Sequence, residues 1–178
     1  MEPMNNLLIT GVPGVGKTTF IIRLSEALED LQPCGFVTRE IREAGTRIGF
    51  EIIGYDGSRR LLSHVDIRSR YRVGKYGVDI EGFEEYLALL DLERTGVRPV
   101  IIDEIGKMEC YSPFFRDLIV RLLESDRLFV ATIARRGTPF IESVKGREDV
   151  VKFEITRQNR DLLLPEVLER IRDLQSGL

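Results

Sequence analysis

An α/β fold, with a mostly parallel sheet flanked by helices and an antiparallel β insert after the first helix, follows from three features of the sequence. A short apolar run, Asn6–Thr10, leads through a glycine-rich stretch into a helical pattern. Two later runs, Val100–Ile102 and Arg127–Ile133, read as buried strands, and the first has no polar alternation, as strands covered on both faces of a parallel sheet have none. Residues 35–63 switch to period two, with turn signals between the runs, which is the mark of hairpins.

At 178 residues the chain suits one domain with a real core, spanning 1–178. It is 43% hydrophobic and 31% charged, the balance of a globular protein. A net charge of −3 argues against a polyanion binder as a whole. No apolar run is long enough to cross a bilayer. The N-terminal Met1–Asn6 lacks the basic and apolar regions of a signal peptide, so the expected location is the cytoplasm. Cys34 and Cys110 form no C-x-x-C pair and read as reduced, buried small hydrophobes. His64 is the only histidine, which leaves no supporting spacing for a zinc site or a Ser-His-Asp triad.

The first chemical motif is Gly11-Val12-Pro13-Gly14-Val15-Gly16-Lys17-Thr18, which fits G-x-x-x-x-G-K-[ST], the P-loop. Glycines let the backbone turn tightly and bring its N–H groups up to a polyphosphate. Lys17 is the point charge for the β- and γ-phosphates, and the Thr18 hydroxyl is a ligand for Mg²⁺. Thr19 follows directly. Asn6–Thr10 supplies the strand, and Ile21, Leu24, Leu28 and Leu31 supply the apolar stripe of the helix. The helix N-terminus adds a partial positive charge.

After this helix, Gly35–Ile41, Arg47–Ile53 and Arg59–Ser63 read as strands, joined by turns at Glu43–Thr46 and Asp56-Gly57. Residues 39–75 carry nine Arg or Lys against five Asp or Glu. Two readings compete. The charges form a face for a phosphate-bearing partner, nucleotide or RNA, or they are solvated outer strand faces that protect edges. The absence of an aromatic-rich platform for single-stranded RNA favours solvated strands. Arg70–Gly77 reads as a loop and a candidate flap near the nucleotide. Phe83, Tyr86, Leu87 and Leu90 lie on one helix face, with Asp79 or Asp91 as boundaries and Gly96 as the residue that ends it.

The second chemical motif is Val100-Ile101-Ile102-Asp103-Glu104, a Walker B pattern. Asp103, at the strand end, is placed to hold Mg²⁺ indirectly alongside Thr18. Glu104 is placed to polarise a water for attack on the γ-phosphate. Side chains alternate along a strand, so adjacent acids can serve two jobs. Ile105-Gly106-Lys107-Met108-Glu109-Cys110 continues beside the expected γ-phosphate. Lys107 and Glu109 either position water or nucleotide there, or form an ion pair of small worth.

Ser112-Pro113 is an N-cap and N1 pair opening a helix with Phe115, Leu118, Ile119 and Leu122 as its stripe. Arg135 and Arg136 follow the strand that ends at Ile133, and Arg160 follows the last strand, Val150–Ile155. These three are the candidates for an arginine finger. Glu142, Lys145, Arg147 and Glu148 read as solvated charge. Thr156–Asp161 is a capped turn or a second basic wall, and Leu164, Val167, Leu168, Ile171 and Leu174 mark a final helix that Pro165 opens as its first residue.

Four stretches together, Gly11–Thr18, Gly35–Glu40, Asp103–Glu109 and Asn159–Asp161, resemble the THEP-type nucleoside-triphosphatase family over nearly the whole chain. That resemblance implies a P-loop fold of RecA-like type and slow, Mg²⁺-dependent hydrolysis of ATP, GTP, CTP and UTP with little base selectivity. The expected site combines Glu104 and Lys17 as catalytic residues, Thr18 and Asp103 at the metal, and Gly11–Thr19 with Asp103–Cys110 around the nucleotide. A monomer is the expected state. Two alternatives stay open: a nucleotide or nucleoside kinase, and an NTP-dependent RNA-binding or switch module.

Overall fold

The computed structural model describes residues 5–94, 96 and 98–176. Met1–Met4, part of the stretch read above for a signal, lie outside them. The strands are β1 (Asn6–Gly11), β2 (Cys34–Glu43), β3 (Thr46–Gly54), β4 (Arg59–His64), β5 (Arg72–Val73), β6 (Tyr76–Val78), β7 (Val100–Ile105), β8 (Phe129–Ala134) and β9 (Val150–Glu154). They make one sheet in the order β5-β6-β4-β3-β2-β7-β8-β1-β9. The half β2-β7-β8-β1-β9 is parallel, and β2-β3-β4-β6-β5 is antiparallel. The helices are α1 (Lys17–Ala27), α2 (Ile80–Leu90), α3 (Pro113–Leu123), α4 (Pro139–Lys145) and α5 (Leu163–Ser176). None of them is long and apolar enough to cross a membrane.

The lack of alternation in β7 has the expected cause. Val100 and Ile102 pack in one apolar cluster with Phe36, Phe83 and Phe115, while Ile101 packs in another with Leu7, Ile21 and Val167. Successive residues point to opposite faces, and both faces are covered: by α2 and α3 on one side, by α1 and α5 on the other. Parallel strands leave their C-terminal ends on one edge, where α/β sheets bind ligands. Gly11, Ile105, Ala134 and Glu154 all end strands at that edge.

The joint between the two halves depends on Gly35 of β2. Its φ is +129°, and a Cβ there would lie 1.9 Å from the carbonyl oxygen of Ile101. Only glycine fits a strand at that approach.

Several expectations shift. The first helix stops at Ala27; Leu31 belongs to a separate 3₁₀ turn, Glu29–Leu31, and is exposed. Asp79 caps α2 by accepting from the Gly82 N–H at 3.0 Å. The helix ends at Asp91, whose φ of 43° is left-handed, rather than at Gly96; a short Asx side chain tolerates that conformation. Arg70–Gly77 is largely a small hairpin, β5–β6, with Tyr76 buried rather than a loose loop. Glu142 and Glu148 are exposed as expected, but Glu142 and Lys145 belong to a helix, α4, whose Ile141 and Val144 are buried and whose N-cap is Thr138. Pro165 lies inside α5, which already begins at Leu163. Ser112 caps α3 as expected, accepting from the Phe115 N–H at 2.9 Å. Cys34 and Cys110 are buried and not joined in a disulfide.

Candidate active site

The phosphate loop lies between β1 and α1. Gly14 and Gly16 have φ of +75° and +112°, and open space where a Cβ would stand. Those left-handed turns favour glycine and aim the first N–H groups of α1 into the loop. Lys17 Nζ donates to the carbonyl oxygens of Gly11 at 3.1 Å and Val12 at 3.4 Å. The side chain of Val15 anchors the loop in the core.

The loop meets the acidic pair directly. Thr18 Oγ1 donates to Asp103 Oδ2 at 2.7 Å. Two further threonines hold Asp103: Thr132 Oγ1 donates to its Oδ1 at 2.6 Å, and Thr38 Oγ1 donates to its main-chain oxygen at 2.7 Å. A register shift in the β7–β8 pairing explains this geometry. Ile102 is opposite Ala131 and Ile105 is opposite Ile133, so Asp103 and Glu104 together face Thr132. Such a bulge re-aims side chains at a strand end.

Asp103 is only 2% exposed. Burial pushes its carboxyl above the ordinary value, against the pull of Thr132, Thr18, Thr38 and Lys17. Burial also raises the Glu104 carboxyl, and the neighbouring Asp103 adds to the rise while Lys17 opposes it. The Thr18 hydroxyl and the Asp103 carboxyl are hard oxygen donors side by side, the donor chemistry that suits Mg²⁺.

A cleft of about 480 Å³ opens over this junction. Its floor is Pro13, Gly14 and Gly16–Thr19, with Glu104 at one side. Its far wall is Thr38, Arg39, Glu40, Arg47 and Phe50. A second cleft, about 160 Å³, begins at Gly16 and Thr19 and runs between Arg23, Arg160 and Asp161.

The run from Asp103 to Cys110 divides. Asp103 sits at the junction and Glu104 lines the cleft, but Ile105 and Cys110 face the core, and Met108 packs against it. Lys107 is exposed, and no ion pair joins it to the buried Glu109 among the described residues. The ion-pair reading of these two is therefore not what the structure holds. Arg135 reaches back to Glu154 at 3.7 Å, and both Arg135 and Arg136 are exposed. Arg160 lines the second cleft, away from Glu104. The turn before it is capped: Asn159 Oδ1 accepts from the Thr156 N–H at 2.7 Å.

The basic insert also divides. Arg42 and Arg47 both pair with Glu40, and Arg39 with Glu51. Pairing of this kind, along β2 for Arg42 and across to β3 for the other two, fits the solvated-strand reading, yet Arg39 and Arg47 stand in the cleft wall. Sequence reasoning counted these two among nine basic residues and favoured solvated strands over a nucleotide face, and it gave Thr38 and Thr132 no role of their own. The available signal for Thr132 was a hydroxyl inside a run of buried apolar residues.

The family model described as NTPase matches residues 6–168. The chain belongs to this family of nucleoside-triphosphatases. It is 46% identical to the nucleoside-triphosphatase THEP1 of Thermotoga sp. (strain RQ2) over 168 residues, 93% of this chain and 95% of that protein. It is 38% identical to the human cancer-related nucleoside-triphosphatase over 180 residues, covering 92% and 94%. The crystal structure of THEP1 from Aquifex aeolicus superimposes with a TM-score of 0.82 at 35% identity, covering 93% of this chain and 98% of that one. The P-loop α/β fold expected from the sequence is the fold of this family. Members of the family that differ at six positions in ten therefore keep one architecture.

Proposed function

We propose that this chain hydrolyses nucleoside triphosphates to the diphosphate and phosphate, using Mg²⁺, with little base selectivity and slow turnover. The observation that carries this reading is the 2.7 Å bond from Thr18 to Asp103. It joins two motifs that lie 85 residues apart, and so makes one site of them. The names of the relatives point the same way.

In this reading the triphosphate lies along the loop, its oxygens held by backbone N–H groups and Lys17. Thr18 and Asp103 hold Mg²⁺, which neutralises charge on the phosphates when bound. Glu104 accepts a proton from the water that attacks the γ-phosphorus. Its raised proton affinity brings it nearer the working pH, as a general base requires. The base lies in the second cleft, against Arg23, Arg160 and Asp161. Charged, exposed side chains of this kind give a base a face to lie on without a fixed donor–acceptor code. Arg135, Arg136 and Arg160 all stand outside the cleft of Glu104, so none of these three is placed to speed the slow turnover.

Product analysis with each of ATP, GTP, CTP and UTP tests the reading, with and without nucleoside and nucleotide acceptors. Diphosphate and free phosphate should appear in every case, with kcat/KM values within about 10²-fold of each other. A site built to hydrogen-bond one base rejects others by about 10⁴-fold or more, and that result would be contrary. Phosphate appearing on an acceptor would favour the kinase alternative.

A further inference from the structure

The wall of the cleft opposite the P-loop is built by the β2–β3 hairpin. β2 pairs with β7 only through Cys34, Gly35 and Phe36, then runs on to Glu43. Its outer half, with β3, overhangs the C-terminal edge of the parallel strands and places Arg39 and Arg47 in the wall of the cleft that Lys17, Thr18 and Glu104 also line. We propose that Arg47 is a catalytic arginine supplied in cis, which stabilises the charge spreading over the transferring phosphoryl group. This rests on the reading of the site as a triphosphate hydrolase.

Two observations select Arg47 over Arg39. The first is charge. Arg39 is matched one to one by Glu51, its direct cross-strand partner. Arg47 shares Glu40 with Arg42, so two guanidinium groups meet one carboxylate and a positive charge is left over. The second is support. Arg47 Nε donates to the Tyr76 hydroxyl at 2.9 Å, and Nη1 donates to Glu40 Oε1 at 2.7 Å. The guanidinium also lies over the rings of Phe50 and Tyr76, at 5.1 and 5.6 Å from their centroids. Those contacts fix its plane and leave Nη2 without a protein partner among the described residues. A held cation with a spare donor at a developing negative charge is what preorganised electrostatic catalysis needs. Glu40 and Tyr76 are then positioning residues. An arginine in cis is compatible with slow turnover, on the order of 10⁻² s⁻¹ in G-protein α subunits.

Steady-state hydrolysis of MgATP, with binding measured separately by a fluorescent ATP analogue, tests this on the full chain. Arg47→Ala should lower kcat by about 10³-fold or more, with analogue affinity within about threefold of wild type. Millimolar guanidinium added to Arg47→Ala should restore part of kcat, which a merely structural arginine would not allow. Glu40→Gln and Tyr76→Phe should lower kcat without raising KM, because they loosen Arg47 rather than remove it. Arg47→Lys keeps the charge and covers the case in which the alanine variant misfolds; it should stay well below wild type because it lacks the planar fork. Wild-type kcat in Arg47→Ala, or a fall on Arg39→Ala alone, overturns the assignment while hydrolysis stands. Absence of hydrolysis in wild type overturns the functional reading, and the catalytic role of Arg47 with it.

Discussion

Glu109 shows what one residue's surroundings do to its chemistry. It is 4% exposed, and burial, joined by the charge of Glu104, pushes its carboxyl up to about 8. The folded protein therefore keeps a proton that the unfolded chain releases near its ordinary value of 4.5. The resulting stability is fully present below pH 4.5 and is lost as pH rises through 8. Glu109→Gln is neutral throughout, so it should flatten the fall of unfolding free energy between pH 5 and 8, by at most about 1.4 kcal/mol per pH unit. Urea titrations at several pH values read this directly; an unchanged slope in the variant would contradict it. The Gly11–Thr18 motif and the Asp103-Glu104 pair were legible in the sequence because phosphate binding fixes residue types at fixed spacing. Arg47 was not, because its partners Glu40, Phe50 and Tyr76 lie on three different strands.

At the scale of elements, the parallel strands were legible from their unbroken apolar runs and α3 from its Ser112-Pro113 cap. The fine structure of the ends was not. The bulge at Asp103-Glu104 depends on pairing with β8, which local pattern does not carry. Helix α4 is seven residues long with two buried side chains, too short for a period to declare itself. Gly35 makes an element-level prediction. Gly35→Ala forces a positive φ on alanine and drives Cβ into the Ile101 carbonyl, so β2 must part from β7. Gly57 also has a positive φ, +84°, but open space around it. Gly57→Ala should cost about 1 kcal/mol of strain and Gly35→Ala more than about 3 kcal/mol. Thermal and urea unfolding of both variants check the ranking, and equal costs would mean that β2 and β7 do not need the close approach.

At the scale of the molecule, the parallel half holds the phosphate loop and the acidic pair, and the antiparallel half lends a wall. The two halves meet where Thr38 of β2 bonds the main chain of Asp103. The sequence showed both halves but not their junction, since the relative placement of 35–63 and 100–105 is set by strand order rather than by any local pattern. The central claim is that the loop and the acidic pair act as one hydrolytic site, with binding and chemistry carried by different residues. Single-turnover phosphate release from MgATP by Glu104→Gln, with affinity measured on the same sample, tests it most directly. Glutamine keeps the shape but cannot take the proton. The predicted result is wild-type affinity with release slowed by about 10²–10⁴-fold; release at the wild-type rate would contradict the account.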